Sequence, residues 1–77
     1  MEELLIAIAS GLVDDKNAVQ VTVDEENAEG VTVYHLHVAP ADMGRVIGKQ
    51  GRTSKALRTV MRSVAARQNK RIAVEID

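Results

Sequence analysis

Three stretches of this chain alternate apolar and polar side chains with a period of two: Val19, Val21 and Val23; Tyr34, Leu36 and Val38; Ile72, Val74 and Ile76. That period belongs to a β-strand with one dry face and one wet face. Strands of this kind share one apolar surface and demand a covering layer on one side. The intervening segments supply it. Leu4, Leu5, Ile8 and Leu12 recur at helical spacing, so residues 2–13 read as an amphipathic helix, ended by Gly11 and the Asp14-Asp15-Lys16-Asn17 cluster. An acidic turn, Asp24 to Gly30, separates the first strand from a second that spans Val31 to Ala39, with Val33, His35 and His37 on its polar face. Pro40 suits the first turn of a short second helix, and Asp42 lies favourably at its positive dipole end. Met43, Val46 and Ile47 form the apolar face of that helix before Gly48 stops it. A longer helix runs from about Arg52 to Gln68. Leu57, Val60, Met61 and Val64 share its stripe, while Lys55, Arg58 and Arg62 occupy a neighbouring flank at i, i+3 and i+7. The order α-β-β-α-α-β predicts an α+β fold, a two-layer sandwich in which helices cover one face of a three-stranded sheet.

Length makes this a single domain, 1–77, and a small one. Such chains bury only about 60% of their unfolded surface, so a second subunit would add stability. Without cysteine there is neither a disulfide framework nor a thiolate metal site. No apolar run is long enough to span a membrane, and Met1-Glu2-Glu3 lacks the basic lead of a secretory signal, so a cytoplasmic protein is expected. The net charge of -1 conceals a strong segregation. From Met1 to Gly44 the one Lys or Arg is Lys16, against nine acids; from Arg45 to Arg71 there are nine basic residues and no acid. Segregated charge builds a local positive field that attracts polyanions. The competing reading is that the basic half faces the acidic half, within the chain or across a dimer.

The basic half opens with the sequence Arg45-Val46-Ile47-Gly48-Lys49-Gln50-Gly51-Arg52-Thr53. Glycine reaches positive φ without steric cost and lets another backbone approach closely. A glycine pair three apart, joining a short helix to a long one, is expected to leave the N–H groups of Gln50, Gly51 and Arg52 open at the start of the longer helix, where the dipole favours an anion. Lys49 and Arg52 add charge beside them.

Val46 to Gly51, V-I-G-K-Q-G, within the order α-β-β-α-α-β, resembles a KH domain of the second, bacterial topology. At this length the chain is most similar to the KhpA-like family of small bacterial single-KH proteins. The resemblance implies a type II KH fold and binding of single-stranded RNA, whose backbone the G-x-x-G loop clamps while the bases lie in a groove. It assigns Gly48, Lys49, Gln50 and Gly51 to the backbone. Arg45, Arg52 and Lys55 stand beside them, and Met43, Val46 and Ile47 support or line the groove with the Ile72-Val74 strand edge. It further implies a homodimer, or pairing with a larger Jag-type KH protein, and a role as post-transcriptional regulator or RNA chaperone. Met61 and Ala65, at the edge of the long helix's stripe, are the expected self-contact.

The residues also set limits. Tyr34 is the one aromatic and is expected in the core, which excludes a sheet platform of stacking rings. Gly44 to Gln50 fails as a phosphate loop: three residues, not four, separate its glycines, and Gln50 replaces the hydroxyl that would hold magnesium. His35 and His37 share a strand face but read as polar surface, and Asp24 to Glu29 lacks calcium-loop spacing. No enzyme, cofactor, metal or small-molecule substrate is expected. Two alternatives stay open: a protein–protein interaction module in which RNA is secondary, and a helix-turn-helix DNA binder.

Overall fold

A computed structural model describes all 77 residues, Met1–Asp77. Its elements are α1 (Glu2–Ser10), β1 (Gln20–Val23), β2 (Val31–His37), α2 (Met43–Ile47), α3 (Arg52–Arg67) and β3 (Arg71–Ile76). The sheet order is β1-β2-β3, with β1 antiparallel and β3 parallel to the central strand. A tight turn can join the antiparallel pair, but a parallel pair needs a crossover. The α2–α3 segment is that crossover, so the glycine loop sits in the one connection that must leave the sheet. No helix is long and apolar enough to cross a membrane.

The register explains why one layer of helices suffices. Leu36 lies between Val21 and Ile76, and Tyr34 between Val23 and Val74, so the apolar alternations of all three strands share a face. Against it lie Leu5 and Ala9 of α1, Val46 of α2, and Leu57, Met61 and Ala65 of α3, in one continuous core. Tyr34 is buried there as the alternation predicts.

Two details depart from the sequence reading. The first helix stops at Ser10: Gly11 N–H still donates to Ala7 O, but Leu12 N–H donates to Ala9 O at 2.9 Å, an i−3 bond that ends the i−4 ladder. Leu12 and Val13 still pack, but as part of the exit turn. The buried line of α3 is Ser54, Leu57, Met61 and Ala65, rotated from the expected stripe so that Val60 is 47% exposed. Helix and sheet approach closely where small side chains allow it, so Ala65 and Ser54 go inside. Val60 points towards a gap that the short α1 does not fill. The expected self-contact is thereby corrected: Met61 is 0% exposed and Ala65 is buried, so neither offers a surface to a second copy.

Candidate nucleic-acid interface

The glycine loop is held by three positive φ angles in four residues: Gly48 (φ 77, ψ 173), Gln50 (φ 57, ψ 25) and Gly51 (φ 74, ψ 14). The two glycines are required for different reasons. Gly48 occupies a region open only to glycine, and a Cβ built there would lie 2.7 Å from Thr53 Cβ and 2.8 Å from Thr53 N, nearer still to Oγ1. Gly51 has an ordinary left-handed conformation, and its nearest neighbour in that direction is Ser54 Oγ at 3.9 Å. Gly48 is thus fixed by internal packing, Gly51 by torsion alone. Gln50, with a side chain, bears left-handed strain of about 1–2 kcal/mol. Its Oε1 accepts a hydrogen bond from Arg52 Nη2 at 3.2 Å.

The amides are less free than the sequence suggested. Gly51 N–H donates to Gly48 O at 3.1 Å, and Arg52 N–H donates to Lys49 O. A 3₁₀ turn, Lys49–Gly51, therefore consumes two of the three groups expected to be open. Ser54 Oγ closes the corner by donating to Gly51 O at 3.0 Å. What the loop presents outward is chiefly the side chains of Lys49, Gln50 and Arg52.

Lys49, Gln50, Arg52 and Lys55 are exposed, and Gly48 and Gly51 are half-buried. Val46 is fully buried and underpins the loop without reaching its surface, whereas Ile47 is 40% exposed and gives an aliphatic floor. Arg45 is exposed but engaged, its Nη1 lying 2.8 Å from Asp14 Oδ1. That is the one Lys or Arg within 4 Å of a carboxylate. The other eight cations from Lys49 to Arg71 have no carboxylate within 4 Å, so apart from Arg45 no ion pair joins the basic half to the acidic half.

Asp42 plays a part that sequence spacing could not show. It caps no amide of its own helix. Instead its buried carboxylate accepts the N–H groups of Asp14 (3.2 Å) and Asp15 (3.0 Å), pinning the exit of α1 to the base of α2. The Asp15 amide, then that of Asp14, holds the carboxyl below its ordinary 3.8; burial opposes this, and the charges of Arg45 and Lys16 assist. Across the sheet, His35 and His37 share the uncovered face. His35 Nε2 is 2.8 Å from Asp24 Oδ2 and Nδ1 is 3.6 Å from Glu75 Oε2, so the ring bridges strands.

A family model for the KhpA/KhpB KH domain matches residues 2–76. The chain belongs to the KhpA/KhpB KH-domain family. RNA-binding protein KhpA of Clostridium acetobutylicum is 51% identical over 76 residues, covering 99% of both chains, and the KhpA of Listeria monocytogenes is 45% identical over 99% of this chain and 97% of its own. Among solved structures, a point variant of Aquifex aeolicus Era bound to GDP.AlF4- superposes with a TM-score of 0.66 at 16% identity, over 97% of this chain and 28% of that one. Era in complex with MgGDPNP and nucleotides 1506-1542 of 16S ribosomal RNA superposes equally well. At that identity the likeness concerns the fold, a type II KH fold in which a mixed three-stranded sheet carries the helix–loop–helix of the KhpA/KhpB domain.

Proposed function

We propose that this chain binds single-stranded RNA, with the Gly48–Gly51 loop seating the backbone. Lys49, Arg52 and Lys55 neutralise phosphates around it, and Ile47 offers an aliphatic surface to a base. The observation that carries this reading is the combination at one corner of a glycine-restricted turn and exposed cations with no carboxylate partner. The name RNA-binding protein KhpA, borne by relatives that match end to end, supports it. With about three phosphates neutralised, log affinity falls against log salt with a slope of about -2.

The test compares unstructured RNA, hairpin RNA and duplex DNA, using the parent protein and the double variant Lys49→Asp, Gln50→Asp, whose fold circular dichroism verifies. Loss of RNA binding in the variant is the expected outcome. Equal affinity for both proteins removes the loop from the mechanism, and preference for duplex DNA restores the helix-turn-helix reading. In the cell the domain acts on transcripts in the cytoplasm, as regulator or chaperone.

Pairing, with a second copy or with a Jag-type KH protein, is part of the proposal. The surface it uses is an apolar trough of about 300 Å³ between α1 and α3, lined by Ile8, Leu12, Ala56 and Val60. Val60→Arg is expected to sediment as a monomer while keeping the parent's circular dichroism. An unchanged mass in the folded variant discards that surface.

A further inference from the structure

Among the basic residues from Arg45 to Arg71, Arg45 alone has its charge met within the chain. It stands in α2, three positions before Gly48, and its Nη1 donates to Asp14 Oδ1 at 2.8 Å. Both side chains are more than half exposed, 58% and 75%, so water and salt reach the pair. Such a pair is weak, because solvent screens it and a long side chain must be ordered to make it.

The backbone beneath Asp14 is nevertheless fixed. Its N–H donates to Asp42 Oδ1 at 3.2 Å, and that of Asp15 donates to Oδ2 at 3.0 Å. Asp42 is 3% exposed and immediately precedes α2. The contacts form a circuit: Asp42 seats the Asp14 main chain against the base of α2, and the Asp14 carboxylate returns to that helix at Arg45. Five residues are too few for a helix to hold itself, so α2 depends on the α1 exit for its seat. That task needs only the buried carboxylate and the two amides. The Asp14 side chain takes no part in it, and its effect falls on Arg45. An anion held there lowers the positive potential on the α2 side of the glycine loop.

We infer that the Asp14 carboxylate is a built-in competitor for RNA phosphate at Arg45. It occupies the guanidinium in the free protein and must be displaced before Arg45 joins Lys49, Arg52 and Lys55 on the strand. This rests on the loop reading above and adds a residue that sets the affinity of that site from outside it. A guanidinium takes a carboxylate and a phosphate through the same fork of N–H donors, so one oxyanion replaces another. Because the pair is exposed, the competitor weakens binding without blocking it.

A double-mutant cycle with an unstructured oligoribonucleotide at low salt tests the competition. Asp14→Asn keeps the backbone N–H that Asp42 accepts, and is expected to tighten binding about two- to fivefold, the strength of one exposed ion pair. Asp14→Ala, with the same N–H, should do likewise, and circular dichroism verifies both folds. Arg45→Gln should weaken binding and reduce the salt slope by about 0.7. In the Arg45→Gln background Asp14→Asn should gain little, because no guanidinium remains to be released. An equal gain in both backgrounds assigns Asp14 to the general field of the protein and overturns the competition. So does a folded Asp14→Asn or Asp14→Ala that binds no better than the parent, or an Arg45→Gln that binds as well. These outcomes leave the loop reading intact provided that Lys49→Asp, Gln50→Asp still loses RNA. Retained binding in that loop variant overturns the loop reading, and this inference with it.

Discussion

The β1–β2 turn and the α2–α3 loop are both short connections that depend on glycine at positive φ, yet they are built to opposite ends. In the first, Asn27 Oδ1 accepts the N–H groups of Glu29 (2.9 Å) and Val31 (3.0 Å), and Gly30 N–H donates to Asn27 O at 3.0 Å. One side chain closes the turn, a single residue, Gly30, takes the strain, and the surrounding charge is acidic. In the second, three residues have positive φ, no side chain caps the helix that follows, and the flanking charges are basic. On the proposed reading, the loop with three strained residues among cations seats the RNA backbone, whereas the acidic turn, with one, connects strands. Substitutions in the two connections should therefore separate stability from binding.

The largest expected effect is at Gly48. Gly48→Ala combines a glycine-only conformation with overlap on Thr53, and should destabilise the domain by about 3 kcal/mol or more. A small domain has only about 3–5 kcal/mol to lose, so thermal denaturation should show a protein largely unfolded at 37 °C. A melting temperature within a few degrees of the parent's breaks the claim that this glycine is packed from within.

Next come Gly30→Ala and Gly51→Ala, matched in cost because each faces nearly open space. Their φ angles are 77 and 74, and the nearest atoms to a new Cβ are Glu26 Oε1 at 3.4 Å and Ser54 Oγ at 3.9 Å. Each should lose about 1–2 kcal/mol from left-handed strain, read by urea denaturation. Only Gly51→Ala should weaken RNA binding under conditions where both variants are folded. Equal binding losses would erase the distinction between the two connections.

How much of this could be read from the sequence depends on the range of the interaction. Period-two alternation fixes which face of each strand is dry whatever the partner, so Tyr34, Leu36, Val38, Ile72 and Val74 were legible. The glycine loop was legible because glycines, cations and a helix boundary coincide within nine residues. What escaped was set at a distance or by small side chains. Asp42 reads locally as a helix-dipole residue, but it grips amides 27 and 28 positions earlier. Val60 outranks Ala65 in hydrophobicity, yet the close approach of α3 to the sheet buries the alanine and exposes the valine. The 3₁₀ turn that consumes the amides of Gly51 and Arg52 depends on backbone angles that no residue pattern specifies.

A smaller effect is expected at Asn27. Asn27→Ala removes the acceptor for two backbone N–H groups, but water can replace it on this exposed turn, so the loss should be about 1 kcal/mol. Gln50→Gly, its counterpart in the glycine loop, should go the other way and stabilise, since it relieves left-handed strain. Chemical denaturation of the pair tests the sign. If both variants destabilise, the glycine loop is held by Gln50 much as the acidic turn is held by Asn27.

The smallest effect distinguishes the regions by pH. The acidic turn begins at Asp24, whose carboxylate meets His35 Nε2, while Glu75 and Asp77 of the opposite edge face the same ring. The hydrogen bond to Asp24 raises the His35 pKa above 6.5; burial opposes it, and the charges of Asp24, Glu75 and Asp77 add to it. Only the imidazolium can donate from both nitrogens to both carboxylates. Because the folded pKa is raised, the stabilisation is complete below 6.5 and is lost as pH rises through the elevated folded value. Melting temperature should fall over that interval, less so in high salt, and His35→Gln should flatten the profile. RNA binding proposed at the glycine loop, which contains no histidine, should not follow the same titration. A parallel fall in affinity that vanishes in His35→Gln would show the two faces of the sheet to be coupled, and the contrast between a structural and a binding connection would then have to be redrawn.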